Sequence, residues 1–325
     1  MTIRTIAGTL SVLAMMWCTT PARAQSLGLY DNFSSGRLDP LRWRGYEYVI
    51  DGTSSRTYAL YGGYGDTPNG SGQSLFGPSA AVESTRGVVG GQAQVALSGY
   101  KRGGFQGSYK RGKGRSGLRI NHPGLADHSP VVTIFRASVT VAGVSAEPPE
   151  PGEGCGWHNA ARAELFGHFF NDSGSAGPED LTGDVFAAIG LERRVEMTSA
   201  GPVVRDVVEA RVGRCNTPDC RMTWGTTLFT RGWTVGAAHG LTINWRPGAN
   251  AFTFTFSGGG IPAESRTVAY ARADSAPPRG YAYDLRVETQ PGFCGNGEEL
   301  IPARASIDAR FDNVQLDSAA ATAAR

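Results

Sequence analysis

The chain has 325 residues, of which 45 are glycine and 18 are proline, and 10% of the residues are aromatic. Glycine is therefore about twice as frequent as its usual ~7%, and no run of ~20 apolar residues follows residue 24. This composition argues against helical bundles, coiled coils and membrane-spanning helices, and the 40% of hydrophobic residues argues against wholesale disorder.

Residues 1–24 have the features of a secretory signal peptide. Arg4 supplies the positive charge of a short N-terminal region, and an apolar run extends from Ile6 to Trp17. Ala22-Arg23-Ala24 fits a cleavage site. Cys18 could instead be lipidated, but small residues do not precede it. The mature protein is therefore predicted to be exported, either to the periplasm or out of the cell.

The net charge of +2 conceals an uneven distribution. The signal peptide contains two arginines and no acid, so the mature protein is neutral. Within it, residues 100–119 carry all the lysines of the chain and no acid. The cations of this basic segment are Lys101, Arg102, Lys110, Arg111, Lys113, Arg115 and Arg119.

The basic segment suits an anionic partner, whose attraction would fall with salt. Tyr100, Phe105 and Tyr109 lie among the cations. An acidic polysaccharide or an envelope component fits an exported protein better than nucleic acid does, because the chain has no nucleic-acid recognition motif. The alternative is a glycine-rich surface hairpin whose charges are merely solvated.

Strand signals recur along the chain between clusters of Gly, Pro, Asn and Asp, and no helical apolar period is convincing. The sequence therefore predicts an all-β fold. The predicted strands are Gln92–Leu97, Val131–Val141, Ala161–Phe170, Val185–Glu192, Val203–Val212, Met222–Phe229, Leu241–Trp245, Ala251–Phe256, Tyr281–Val287 and Ala309–Leu316.

The alternating Phe and Thr of Ala251–Phe256, which follow Leu241–Trp245 after a Pro-Gly turn, predict an antiparallel hairpin with one buried face. Strands continue on both sides of the Pro-rich stretch Ser145–Gly156. Residues 25–317 are therefore predicted to form one two-sheet sandwich domain, followed by a frayed tail, residues 318–325.

The mature chain has four cysteines, which allow three disulfide pairings. Cys215 and Cys220 enclose a turn-forming stretch, which favours a local bridge and leaves Cys155 to pair with Cys294. A zinc site is the alternative, but no second close Cys/His pair exists, and an oxidising compartment favours disulfides.

Two motifs at opposite ends of the mature chain resemble the concanavalin A-like lectin/glucanase superfamily, in its uncharacterised bacterial secreted members. Tyr30-Asp-Asn-Phe33, with a Gly-Arg-Leu-Asp turn and Trp43, resembles their opening, and Arg310-Phe-Asp-Asn-Val-Gln-Leu316 resembles their last strand. The resemblance implies a jelly roll with adjacent first and last strands. It also implies a concave sheet that often receives a polysaccharide, and a possible structural calcium at Asp31 and Asp312, which could equally cap strand ends.

The catalytic motifs of the superfamily are largely missing. The E-x-D-x-E strand of laminarinase-like glycosidases, which places two carboxylates on one face, does not occur. Arg162-Ala-Glu-Leu165 loosely resembles one strand of the jelly-roll alginate lyases, whose other two motifs have no counterpart.

Strand parity predicts a polar face in residues 161–170. Arg162, Glu164, Phe166, His168 and Phe170 share one side of the strand. Arg162 could neutralise the carboxylate of a sugar acid while His168 moves a proton. Alternatively, Arg162 and Glu164 simply pair with charges on neighbouring strands. Further candidates for the same surface are Arg205, Glu209, Arg211 and the aromatic platforms Trp224 and Trp233.

These observations favour an exported, non-catalytic sandwich that binds a carbohydrate or an envelope component and prefers anionic glycans. Its predicted ligand-contacting residues are Arg162, Glu164, His168, Arg205, Glu209, Arg211, Trp224, Lys110, Arg111, Lys113 and Arg115. A polysaccharide lyase centred on Arg162, Glu164 and His168 is one alternative, and a structural or interaction protein without a glycan ligand is another.

Overall fold

The computed structural model describes residues 27–50, 58–59, 70–76, 80–102, 113–120, 132–146, 159–172, 180–218, 220, 222–270, 283–291 and 300–317. Within these ranges the regular structure is all strand, apart from one short 3-10 turn at Pro247–Ala249. The all-β prediction is confirmed, and each predicted strand is present. The structure contains no helix long and apolar enough to span a membrane in the residues it describes.

The strands form two antiparallel sheets. The first sheet contains β1 (Leu27–Asp31), β4 (Gly70–Phe76), β5 (Ala80–Val89), β6 (Gln92–Arg102), β8 (Ile134–Ala146), β13 (Ala238–Arg246), β14 (Ala251–Gly258), β15 (Ile261–Ala269) and β17 (Leu300–Asp317). Their order is β15-β14-β13-β8-β17-β6-β5-β4, and β1 also pairs with β17.

The second sheet contains β2 (Trp43–Ile50), β3 (Tyr58–Ala59), β7 (Lys113–Ile120), β9 (Ala160–Asn171), β10 (Asp184–Thr198), β11 (Gly201–Cys215), β12 (Met222–Leu228) and β16 (Tyr283–Gln290). Their order is β12-β11-β10-β9-β16-β7-β2-β3. The chain passes repeatedly from one sheet to the other, so the fold is the two-sheet antiparallel jelly-roll sandwich that the sequence predicted.

The predicted Phe/Thr hairpin is formed by β13 and β14. Phe252, Phe254 and Phe256 are fully buried between the sheets, whereas Thr253 and Thr255 face outward. Apolar residues from both sheets join these rings in one continuous core. Each fully buried phenylalanine contributes about 1.5–3 kcal/mol relative to an exposed one, so this alternation defines which face of the first sheet is inside.

The two motifs that carried the family resemblance lie next to each other. β1 pairs antiparallel with the end of β17, with Leu27 opposite Asp317. Tyr30 and Phe33 pack on Trp43, with ring centroids 5.3 and 5.5 Å apart. The expectation that the first and last strands are adjacent is therefore confirmed.

The basic segment is not a hairpin. Its first residues end β6 in the first sheet, and its last residues, Lys113–Arg119, lie in β7 of the second sheet. The hairpin interpretation was wrong because the glycine-rich stretch connects two sheets rather than two paired strands. Lys110 and Arg111, together with Cys155, Cys294, the predicted signal peptide and the predicted tail, lie outside the described residues.

Candidate functional site

The outer face of the second sheet, which points away from the core, carries a field of charged side chains. Strand register places them side by side on β2, β7, β16, β9, β10 and β11. Among the residues that the structure describes, the cations of this face outnumber its acids. The cations are Arg44, Lys113, Arg115, Arg119, Arg162, Arg194, Arg205, Arg211 and Arg286, and the acids are Asp184, Asp284, Glu164, Glu192, Glu196, Glu209 and Glu288.

Glu164 connects three strands across this face. One of its carboxylate oxygens accepts a hydrogen bond from Arg286 of β16, and the other accepts one from Arg211 of β11. Between β9 and β11 the side chain passes Gly190 of β10, where a Cβ would lie only 2.8 Å from the Cβ of Glu164. The guanidinium of Arg286 also lies over the ring of Phe166, 3.7 Å from its centroid. Glu164 is therefore held rigidly on both sides.

Arg162 lies between two acids but makes no hydrogen bond within the described part of the chain. Its Nη2 is 3.6 Å from Oε1 of Glu288 and 3.8 Å from Oε1 of Glu192. Only 9% of the residue is exposed. A guanidinium has five N–H donors, and buried donors are normally used. Arg162 is therefore held by charge attraction to these two acids, and none of its nitrogen atoms is both fully buried and unpartnered.

Glu288 forms ion pairs with Lys113 and Arg115, two cations of the basic segment that lie in β7. Lys113 Nζ is 3.2 Å from Oε1 of Glu288, and Nε of Arg115 donates to Oε2. The side chain of Lys113 is 29% exposed, that of Arg115 16% and that of Glu288 1%. The part of the basic segment in β7 therefore belongs to the same face as Arg162, and its charges are partly neutralised there.

Two buried acids of this face, Glu164 and Glu288, are held in the ionised form. Burial raises the pKa of Glu164, but Arg211, Arg286 and Arg162 outweigh it and lower the pKa to about 2. Burial acts in the same sense on Glu288, and Arg115 and Lys113 hold its pKa well below the ordinary value. A carboxylate that stays ionised at neutral pH cannot serve as a general acid.

The predicted residues of β11 share the outer face, as parity required. Nε of Arg205 is 2.7 Å from Glu196, and Nη1 of Arg194 donates to Glu209 at 3.3 Å. Burial and the neighbouring Glu192 raise the pKa of Glu209, against the opposing effect of Arg211 and other arginines. Glu209 therefore differs from Glu164 in holding its proton to higher pH.

Trp224 is a partly exposed aromatic side chain at the β12 edge of this face. The guanidinium of Arg211 lies 5.0 Å from its ring centroid. A Cβ on Gly213 would lie 2.6 Å from the indole, so the ring covers that glycine. Trp224 also packs near Cys215. Cys215 forms a disulfide with Cys220, so the predicted local bridge is confirmed.

Trp233, the other predicted platform, is a core residue. It is 5% exposed, and its indole N–H donates to the backbone carbonyl of Glu192 at 3.2 Å. A side chain so enclosed cannot offer its ring to a sugar. Of the two tryptophans, the structure therefore leaves Trp224 as the candidate platform.

His168 lies on the same face as Arg162 and Glu164 but has different surroundings. The side chain is 4% exposed, stacks on Phe186 at 4.3 Å and has its Nε2 3.2 Å from Oδ2 of Asp184. Asp184 also accepts a hydrogen bond from Asn171 at 2.7 Å. This enclosed pair does not join Arg162 and Glu164 in one open site.

The parity prediction fails at Phe170. The register between β9 and β10 shifts where Val185 faces Phe170 and Phe186 faces His168. This bulge turns Phe169 and Phe170 together into the core, where both are fully buried. Phe170 therefore lies opposite to the face that strict alternation predicted.

Asp31 and Asp312, the possible calcium ligands, both accept hydrogen bonds from nearby residues. Oδ1 of Asp31 accepts from the backbone N–H of Phe33 at 2.8 Å, and Oδ2 accepts from the Trp43 indole at 2.7 Å. Asp312 accepts from the N–H of Asn313. In the described ranges no group of three His, Cys, Asp or Glu side chains could hold a metal. Asp31 therefore caps the end of its strand. Calcium binding by Asp31 and Asp312 stays a prediction.

Several members of the face were not identified from the sequence. Asp284, Arg286 and Glu288 alternate along β16, and Glu192 lies in β10. Charged residues alternate with apolar ones in Asp284-Leu-Arg-Val-Glu288. The first four of these residues lie in the predicted strand Tyr281–Val287, and Glu288 follows it. Their pairing with Glu164 and Arg162 depends on which strands are neighbours, and local sequence patterns carry no signal for strand order.

The chain was compared with protein families, curated proteins and solved structures, and only solved structures are similar to it. No protein-family model and no curated protein matches the chain. Among solved structures, a glycosyl hydrolase family protein from Mycobacterium fortuitum is similar at 12% identity, with a TM-score of 0.35 over 90% of this chain and 98% of that chain. Winged bean acidic lectin, complexed with methyl-α-D-galactose, gives 8% identity and a TM-score of 0.34 over 83% and 98%.

A PL-14 alginate lyase from Aplysia kurodai is also similar, at 13% identity with a TM-score of 0.32 over 69% of this chain and 82% of that chain. At such scores the likeness carries no argument about ligands or reactions. The fold assignment rests instead on the strand order and pairing described above.

Proposed function

We propose that this protein is an exported, non-catalytic carbohydrate-binding β-sandwich that takes an anionic glycan, or an anionic envelope component, on the outer face of its second sheet. The surplus of cations on that face carries the proposal. Trp224 and Arg211 add an aromatic surface beside a cation at one edge, and such surfaces stack on sugar rings. The disulfide between Cys215 and Cys220 is consistent with export.

The state of the two most enclosed glutamates on this face supports binding rather than catalysis. Glu164 and Glu288 are held ionised by arginine and lysine, so neither can donate the proton that glycoside hydrolysis requires. His168 is enclosed and faces Asp184. Nothing in the placement of Arg162, Glu164 and His168 favours the lyase alternative over binding.

A panel of neutral and acidic polysaccharides tests the proposal. The mature protein is run through gels that contain each polymer, while reducing ends and the ultraviolet absorbance of new double bonds are followed in parallel. We expect retardation by acidic polymers without products. Unsaturated products would establish the lyase instead, and a lack of retardation by every polymer would favour an interaction protein.

Matched charge variants locate the binding face. Arg205, whose side chain is 53% exposed, and the exposed Arg44 are replaced by glutamine on the outer face of the second sheet. Arg136→Gln removes an exposed cation from β8 of the first sheet as the control. We expect the first pair of changes to weaken retardation by acidic polymers, and the control to leave it unchanged.

A further inference from the structure

We infer that Arg44 and Arg119 form a subsite for a sulfate ester group, so that the anionic glycan of the proposed function is a sulfated polysaccharide. The inference deepens the proposed function and rests on it. It is carried by two arginines that the strand register places directly opposite each other, and by the contrast with a second such pair on the same face.

Arg44 of β2 is the register partner of Arg119 of β7. Both side chains reach solvent on the outer face of the second sheet, since Arg44 is exposed and the side chain of Arg119 is 40% exposed. The Cβ atoms of directly opposite residues lie about 4.5–5.5 Å apart, and like charges in these positions destabilise a sheet. An anion bound to both arginines would relieve their repulsion.

Arg194 and Arg205 show how the same sheet stabilises such a pair. These two arginines are also register partners, on β10 and β11. Glu196, two residues after Arg194, bridges them through its carboxylate. One of its oxygens lies 2.7 Å from Nη2 of Arg194, and the other lies 2.7 Å from Nε of Arg205. A bridging oxyanion is therefore the means by which this sheet tolerates two opposite arginines.

The corresponding positions beside Arg44 and Arg119 hold Tyr46 and Gly117 instead of an acid. Tyr46 lies over Gly117, where an added Cβ would be only 2.6 Å from the phenolic oxygen. The strands themselves thus place a neutral, flat surface next to the two cations. An oxyanion of a ligand would take the position that Glu196 has at the other pair.

Arg119 is held in place before any ligand binds. Its Nε and Nη2 donate to the carboxylate of Asp284 at 2.9 and 3.2 Å, and its guanidinium lies 5.1 Å from the ring centroid of Tyr46. The hydroxyl of Tyr46 donates to the same carboxylate at 3.1 Å. Asp284 is 1% exposed, so it fixes Arg119 from below. A donor that is already ordered costs less to bind.

The two guanidinium groups favour a sulfate ester over a carboxylate. A guanidinium has five N–H donors, so the two bonds to Asp284 do not exhaust those of Arg119. A sulfate ester has three terminal oxygens, which can accept the N–H fork of Arg44 with two of them and an N–H of Arg119 with the third. A carboxylate has only two oxygens. A phosphate monoester carries two charges, which Asp284 would repel more strongly than the single charge of a sulfate ester.

Matched derivatives of one neutral polymer test the subsite. Sulfated, phosphorylated and carboxymethylated dextrans of equal substitution, together with unsubstituted dextran, are titrated into the mature protein in a calorimeter. We expect the sulfated dextran to bind at least ~10-fold more tightly than each of the other three, because it adds charge-assisted hydrogen bonds.

The two possible failures are distinguishable. Equal or tighter binding of the carboxymethylated or the phosphorylated dextran would overturn the sulfate subsite and leave the proposed function standing. Absence of binding to every charged dextran would contradict the proposed function as well.

Conservative variants locate the preference. Arg44→Lys keeps the charge opposite Arg119 but removes the planar fork, so the ratio of affinities for sulfated and carboxymethylated dextran should fall below ~3. Circular dichroism checks that the variant is folded, as expected for an exposed residue. Arg205→Lys, whose pair Glu196 already bridges, should leave the ratio unchanged. An unchanged ratio in Arg44→Lys, or an equal fall in Arg205→Lys, would show that the subsite is wrong.

Discussion

Glu164 crosses β10 at Gly190, and a Cβ on that glycine would lie 2.8 Å from the Cβ of Glu164 and 3.1 Å from the carbonyl oxygen of Ala163. The missing side chain lets one carboxylate join Arg286 and Arg211, which lie on opposite sides of it. The layout of the charged face therefore depends on a residue that carries no charge.

Gly190→Ala should destabilise the protein by about 1–3 kcal/mol, since the added methyl group overpacks a buried site. Chemical denaturation measures the loss. Gly143→Ala is the matched control, because Gly143 also lies in a strand but has open space around its Cβ position. Equal effects of the two changes would show that Gly190 is not needed for close approach.

Glu164→Gln should cost about 3–5 kcal/mol, because it leaves Arg211 and Arg286 without their buried counter-charge. Glu196→Gln serves for comparison. The Glu196 side chain is 32% exposed, and removing a surface pair costs at most about 1 kcal/mol. A loss at Glu164 no greater than that at Glu196 would contradict the rigid placement of this carboxylate.

Acid should weaken the fold through the same residue. The pKa of Glu164 is lowered from 4.5 to about 2 in the folded protein, so its ionised form contributes stability above its unfolded pKa. That contribution is lost as the pH falls from about 4.5 through about 2. The free energy of unfolding, measured at several pH values in this window, should fall less steeply in Glu164→Gln than in the unmodified protein.

Glycan binding should strengthen in mildly acidic solution. The pKa of Glu209 is raised by burial and by Glu192, so its negative charge next to Arg211 is lost before that of ordinary glutamates as the pH falls. Arg162 and Arg211 keep their charge in that range. Affinity for a polyuronate should therefore rise as the pH falls through the pKa of Glu209, and Glu209→Gln should remove most of that rise.

The local disulfide should support the edge of the face rather than the whole fold. It closes a loop with a sequence separation of five, for which the chain-entropy model gives about 2 kcal/mol. Cys215→Ala with Cys220→Ala should lower the free energy of unfolding by about that amount and keep the far-ultraviolet circular dichroism spectrum. Loss of all β structure in the double variant would show that the bridge is essential for folding.

Local patterns predicted much of the fold. Alternating Phe and Thr identified β14 and its buried face, because side chains on a strand alternate between its faces, and the same alternation placed Arg162 and Glu164 together. Phe170 was misplaced because a bulge, which leaves no mark in the sequence, interrupts the alternation.

The candidate site was only partly predictable. Arg211 and Glu164 meet across an intervening strand, and Arg286 reaches them from a part of the chain over 70 residues further on. Such neighbours follow from strand order, which local periodicity does not encode. The alternative of one basic hairpin fails for the same reason, because the two ends of the basic segment lie in different sheets.

Titration calorimetry with a polyuronate is the most direct test of binding on the outer face. It compares the unmodified mature protein with the Arg44→Gln, Arg205→Gln double variant and with Arg136→Gln. We predict saturable binding by the unmodified protein and by Arg136→Gln, weakened by added salt, and a clear loss of affinity in the double variant. Unchanged affinity of the double variant, or no binding by the unmodified protein, would contradict the proposed role of this face.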